Sequence, residues 1–289
     1  MRSKFIEGLI ERLILLSGIA TVLVVVLIFI FLFKESFSFF SEVNLFSALF
    51  GKDWFPISEP PSFGFLPLIL GSLLVTLGAI VIAVPLGIAA AIYISEVAPA
   101  RFKDILKTGI ELLAAIPSIV LGFIGIVALA PLIKNIFGLP SGLTALAGSI
   151  MLAFMAMPTI VSIIEDAITS VPRSYKEGAL ALGATHWQTI RRVILPAAFP
   201  GIIAAVMLGI GRVIGETMAV LMITGNAAII PTSILQPVRT LTATVAAEMG
   251  EVIRGSTHYY ALFGIGLVLF VITFFINLLA DMFLHRKRA

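Results

Sequence analysis

No cysteine occurs anywhere in the chain, so neither disulfides nor thiolate metal sites can contribute to its structure. Charge is scarce as well: Asp, Glu, Lys and Arg together make up 12% of the 289 residues. A soluble domain of this length would expose far more, and a mean hydropathy of +1.13 lies far outside the globular range. The three histidines, His186, His258 and His285, stand far apart in sequence and read as ordinary polar residues, so no metal site is expected. No basic run exceeds the four-residue stretch 285–288, and the net charge of +3 therefore reflects basic loops and tail rather than a nucleic-acid surface. A Gly-x-x-x-x-Gly-Lys-Ser/Thr phosphate loop is also missing, so any nucleotide-derived energy has to come from another subunit. These absences leave an integral membrane protein.

What is present is a series of apolar runs, each about as long as a bilayer-spanning helix. Spans are expected at about 13–33, 65–94, 108–133, 142–164, 198–223 and 259–284. The first exceeds the 7–15 residues usual for a signal-peptide core and is read as a retained span with signal-anchor character. The second holds Pro85, expected to kink it, and Gly71, Gly78 and Gly87, which allow close helix approach. Between the first two spans, residues 34–64 carry Trp54, Phe55 and several prolines, and are expected to lie on the outer headgroups. Residues 224–258 form a second outer segment with a helix expected over 241–254. On this map thirteen of the 19 Lys and Arg residues fall in inner segments and five in outer ones. That bias places both termini in the cytoplasm.

The inner segment Ser174–Pro196 has an unusual internal order. It carries Lys176, Arg191 and Arg192, with Arg173 just before it. Tyr175–Leu182 reads as a short helix offering Ala179, Leu180 and Leu182 for packing. Gly183 is a natural joint. Thr185 is placed to cap a second helix from His186 to Ile194, and Leu195-Pro196 is expected to close it before the next span. Two short helices meeting at a glycine make a rigid knob able to dock into a partner's groove.

Here a family resemblance appears. The signature of binding-protein-dependent ABC importer permeases is E-A-A, three residues, G, nine residues, I-x-L-P. Glu177-Gly178-Ala179, Gly183 and Val193-Ile194-Leu195-Pro196 fall at that spacing, with Gly178 and Val193 as mild departures. In that family the segment is the coupling helix, which sits in a cleft of the cytoplasmic ATPase. The resemblance therefore implies ATPase-coupling roles for Glu177, Gly178, Ala179, Gly183, Leu195 and Pro196.

One cation remains inside a span. The fifth apolar run reads GIGRVIGETMAV from Gly209, and Arg212 and Glu216 stand four residues apart, hence on one face of a continuous helix. A lone charge near mid-bilayer costs at least about 2.5–3.5 kcal/mol on insertion scales. Two readings follow: a structural Arg–Glu pair, or a charged element of a translocation path in which a guanidinium meets an oxyanion.

GRVIGETMAV resembles the R-x-x-G-E-T-M-A-V segment of the C-type permease subunits of phosphate importers, and the likeness extends to AAIPSIVLGF, AMPTIVSIIEDAI and VPRSYKEGALALGA. It implies an all-α, six-span permease of the type I ABC importer fold in a prokaryotic cytoplasmic membrane. Arg212 and Glu216 would then be the charges associated with phosphate passage. The implied partners are an A-type permease, two cytoplasmic ATPase subunits and an extracytoplasmic phosphate-binding protein. ATP and Mg would be used by the partner subunits, with no cofactor held by this chain. Weaker signals are Glu111, placed at a membrane entry, and Glu165-Asp166, placed to touch the coupling segment or the ATPase. The alternatives are a related permease for sulfate, molybdate or phosphonate, or an ATP-independent secondary transporter. The latter lacks an obvious inverted repeat between halves. An intramembrane protease would need paired aspartates, a Ser–His pair or a zinc motif, and none is visible in the sequence.

Overall fold

The computed structural model describes residues 2–285; the basic tail from Arg286 lies outside them. Among the described residues six helical stretches are long and apolar enough to cross a membrane. The first belongs to helix α1 (Arg2–Glu42), and the second runs through α3 (Leu66–Ile92) into a π-helical turn at Tyr93–Val97. Between them lie the short helix α2 (Leu45–Phe50) and a two-stranded antiparallel hairpin of β1 (Trp54–Phe55) and β2 (Ser62–Phe63), in which Trp54 pairs with Phe63.

The third span begins later than the sequence suggests. Residues Ala100–Ala114 form a separate amphipathic helix, α4, and the membrane stretch starts at Ser118 rather than near 108. Pro117 is the cause, because its ring disfavours helical backbone at Ile116 and it has no N–H to continue α4. Helices α5 (Ser118–Ile124) and α6 (Ala130–Phe137), joined by a π-helical turn at Gly125–Leu129, complete the span. Charged Lys103, Asp104, Lys107 and Glu111 therefore sit on a surface helix, with Glu111 exposed.

The fourth span, α7 (Ala145–Thr169), opens with Thr144, whose hydroxyl accepts from the Ala147 amide at 3.2 Å. Two-thirds of its apolar window (67%) is buried, against 28% or less for every other span, so α7 is the central column. Helix α3 packs on one side of it and α10 (Leu195–Ile214) on another. The fully buried Ile160 fills the seam. A Cβ added at Gly87 of α3 would lie 2.7 Å from its Cγ2, and one added at Gly209 of α10 2.7 Å from its Cδ1. Glycines on both flanks thus let three backbones close around one isoleucine.

After α7 come α8 (Arg173–Ala181) and α9 (His186–Thr189), and α10 is followed by the short α11 (Met218–Ile223). Helix α12 (Leu241–Glu248) covers only the first part of the stretch expected to be helical, and α13 (Thr257–His285) carries the sixth span against α1.

Because Ile160 is held from both sides, it cannot turn away from a new side chain at Gly209. Gly209→Val should cost about 1–3 kcal/mol by overpacking, whereas a Cβ at Gly211 would meet nothing within 4 Å. Thermal unfolding of the detergent-purified variants is expected to show a lower midpoint for Gly209→Val and an unchanged one for Gly211→Val.

Candidate functional site

The fifth span is interrupted where its charges lie. Helix α10 ends at Ile214, Gly215 caps it, and Thr217 precedes α11. Arg212 is in the last turn of α10, and Glu216 is in the break. The expected same-face pair is therefore not formed, and no ion pair joins the two among the described residues. Glu216 turns instead to the backbone: its Oε1 accepts from the amides of Met218 and Ala219 at 3.1 and 3.2 Å. Those are orphan donors of the first turn of α11, which the carboxylate caps. The Glu216 carbonyl accepts from the Thr242 hydroxyl of α12 at 2.8 Å. Arg212 is exposed, and its Nη1 donates to Thr159 Oγ1 of α7 at 3.2 Å. Thr159 directly precedes Ile160, so the packing that seats Ile160 between the glycines also brings Thr159 beneath the guanidinium.

The segment between the fourth and fifth spans forms the two helices that its sequence describes. The Gly183 amide donates to Leu180 at 2.9 Å and the Ala184 amide to Ala179 at 3.1 Å, the paired bonds of a Schellman ending, with Gly183 at φ +82°. Thr185 and Gln188 then close a reciprocal capping box on α9, with bonds of 3.2 and 2.9 Å. Leu182 projects with 91% of its surface exposed, and Tyr175, Leu180 and Trp187 are exposed around it. Glu177 and Gly178 are exposed as well, and Ala179 is half-buried.

At Leu195-Pro196 the structure differs from expectation. The chain does not stop there but runs as one helical stretch, His186–Ile214. A π-helical turn at Ile190–Ile194 precedes α10, with the Leu195 amide reaching back to Ile190, so Pro196 falls in the first turn of α10. The wider π-helical turn directly before it makes room for the proline ring and its missing N–H. Leu195 and Pro196 thus begin the span and do not end the knob.

Among the described residues no ion pair joins Glu165 or Asp166 to either of the two short helices. They hold Lys107 of α4 at 2.6 and 3.2 Å. The hydrogen bond to Glu165 outweighs desolvation and holds the Lys107 ammonium above its ordinary pKa.

At the opposite end of the bundle, residues 34–64 do not simply lie on a surface. Trp54 is 2% exposed and packs with Phe39, Phe65, Leu241 and Leu262. Its Nε1 donates to Glu248 at 3.1 Å. Glu248 also accepts from Arg239 at 2.6 Å and faces His258 Nε2 at 2.8 Å. One carboxylate therefore ties the hairpin, α12, α13 and the loop before α12 together. A cavity of about 780 Å³ opens beside it, lined by Phe55, Ile57, Glu251, Arg239, Glu248 and His258. His258 is thus no ordinary surface residue.

Residues 83–289 match the family described as the inner membrane component of binding-protein-dependent transport systems. A phosphate transport system permease protein PstC of Mesorhizobium japonicum is 39% identical over 95% of this chain and 86% of its own. The chain belongs to this permease family. A probable ABC transporter permease protein, YqgH of Bacillus subtilis, is 45% identical over 82% of the permease and 76% of its own length. Two solved structures share the fold. A chain of the inward-facing MetNI methionine ABC transporter gives a TM-score of 0.62 at 20% identity, covering 80% of the permease and 99% of itself. One from the bacterial alginate ABC transporter, in complex with an alginate-bound periplasmic protein, gives 0.65 at 17% identity, covering 94% of each.

Sequence reading did not single out Thr159, although the AMPTIVSIIEDAI stretch contains it. Nor did it find Glu248, because spacing along one helix carries no record of the helix opposite.

The capping role of Glu216 in the permease can be tested apart from transport. Glu216→Ala is expected to lower stability by about 1 kcal/mol, the usual cost of a lost N-terminal cap. Glu216→Gln keeps an acceptor oxygen and should unfold at the parent temperature. Equal loss in both variants would show that the charge, and not the cap, holds the break.

Proposed function

We propose that this chain is the membrane-spanning permease subunit of an ATP-driven importer for inorganic phosphate. The observation that carries the reading is the Arg212 guanidinium, exposed beside an interrupted span and held by a neutral hydroxyl rather than by an acid. A cation left unneutralised at such depth is costly unless an anion or water reaches it. A guanidinium offers phosphate a planar, bidentate array of donors. The names of the PstC relatives, phosphate transport permeases, support the choice of anion.

In this reading the chain pairs with an A-type permease, so that two halves enclose a path that opens alternately to either side. Two cytoplasmic ATPase subunits bind and hydrolyse ATP with Mg, and the knob of α8 and α9 docks on one of them. Leu182, Trp187 and Tyr175 supply the apolar contact, while the Gly183 turn and the Thr185 capping box fix its shape. An extracytoplasmic phosphate-binding protein delivers the substrate and carries most of the selectivity, since one arginine per permease is too sparse for a tight site. Arg212 then lowers the barrier to passage, and Glu216 supports the break that exposes it. The basic end, with α4, α8 and α9, faces the cytoplasm, as the distribution of Lys and Arg requires.

Phosphate uptake into vesicles reconstituted with the full complex tests the reading. Arg212→Ala and Arg212→Lys should assemble normally and still hydrolyse ATP, with uptake lost in the first and strongly reduced in the second, whose point charge cannot replace the fork. Near-normal uptake by Arg212→Ala would remove the path role. Uptake by the parent complex that favours sulfate or molybdate over phosphate would reassign the substrate.

A further inference from the structure

We infer that Glu96 is a positioning residue: its carboxylate clamps both halves of the α8–α9 knob to the second span and sets how much of the knob's movement reaches Arg212. This rests on the reading above, in which the knob docks on an ATPase.

Glu96 lies in the π-helical turn that ends the second span, and its side chain is only 11% exposed. One oxygen, Oε2, contacts Lys176 Nζ of α8 and lies 3.7 Å from His186 Nε2, the first residue of α9. The two partners flank Gly183, so a single carboxylate hydrogen-bonds to α8 through Lys176 and faces the start of α9 across the joint. Besides this contact, α8 touches α9 and the π-helical turn at Ile190–Ile194. It has no buried residue, and a Cβ at Gly178 or Gly183 would meet nothing within 4 Å. Helix α9, in contrast, leads into buried Thr189 and Ile190. The orientation of α8 on this chain therefore depends heavily on its contact with Glu96.

The other side of the clamp is firm. Buried Ser95 donates its hydroxyl to the Ala91 carbonyl at 2.8 Å, Lys103 of α4 donates to the Ser95 carbonyl, and the Ala98 amide returns to Tyr93 at 2.7 Å. From Glu96 the helix runs back about 13 Å, at 1.5 Å per residue, to Gly87, against which Ile160 is packed. Thr159, the neighbour of Ile160, holds Arg212. A push on the knob thus has a continuous path of packed and hydrogen-bonded groups to the guanidinium. A half-buried ion pair suits this task, because removing one partner leaves a charge in poor solvent. A surface pair of the same kind would contribute little.

The test uses the reconstituted complex and reads phosphate moved per ATP hydrolysed, with assembly checked by co-purification. Glu96→Gln is expected to assemble and hydrolyse ATP while this ratio falls about two- to thirtyfold, the range seen when coupling residues are changed. Lys176→Gln, at a half-exposed position, should lower the same ratio and serves as the readout if Glu96→Gln fails to assemble. The exchange Glu96→Lys with Lys176→Glu should restore part of it, which a role confined to folding would not predict. An unchanged ratio in an assembled Glu96→Gln or Lys176→Gln complex overturns the inference. Because the chain has no cysteine, Leu182→Cys can be cross-linked to the ATPase in parallel. A cross-link with an unchanged ratio refutes the clamp alone. Absence of any cross-link refutes the docking reading on which the clamp rests.

Discussion

A backbone amide or carbonyl left unpaired in a bilayer costs several kcal/mol, and that constraint governs the break in the fifth span between Arg212 and α11. The break at residues 215–217 frees donors at the start of α11 and an acceptor at Glu216. Both are answered from within the protein, by the Glu216 carboxylate and by the Thr242 hydroxyl. Without those partners the chain would be forced back towards a continuous helix, and Arg212 would return to the neighbourhood of an acid. The interruption and the unneutralised guanidinium are thus two consequences of one hydrogen-bond arrangement.

The second determinant is packing. Ile160 is the tooth on which α3, α7 and α10 mesh, and the glycines at 87 and 209 make the meshing possible. This contact fixes the register of α10 on α7 and so places Thr159 under Arg212. It also connects the second span, whose far end carries Glu96, to the same point. Function on the membrane scale then requires no long-range device beyond helices that move as packed units.

Much of this architecture is legible in the sequence because it depends on local rules. Apolar run length marks the spans, and Gly183 with Thr185 marks the knob, since a left-handed turn and a hydroxyl cap are chemically demanding positions. The errors arise where neighbours decide. Glu111 reads as placed at the entrance of a span, but Pro117 separates α4 from the membrane stretch. Leu195-Pro196 reads as a terminator, yet a π-helical turn absorbs the proline. Trp54 reads as an interfacial aromatic, although it is packed under Glu248. Arg212 and Glu216 obey the four-residue rule only if the helix is unbroken, and the glycine between them ends it. For Trp54 the deciding partner lies on another element; in the other cases a local proline, π-helical turn or glycine overrides the regular spacing.

The central claim is that the face of α10 next to Arg212 lines a path open to alternate sides of the membrane. Gly211 offers a direct probe, because a Cβ there meets nothing within 4 Å and the parent chain has no cysteine to interfere. Gly211→Cys in the reconstituted complex can be titrated with a membrane-impermeant thiol reagent applied from each side. Alternating access predicts that nucleotide trapping raises reactivity from one side and lowers it from the other. Equal reactivity in both nucleotide states, from both sides, would contradict it.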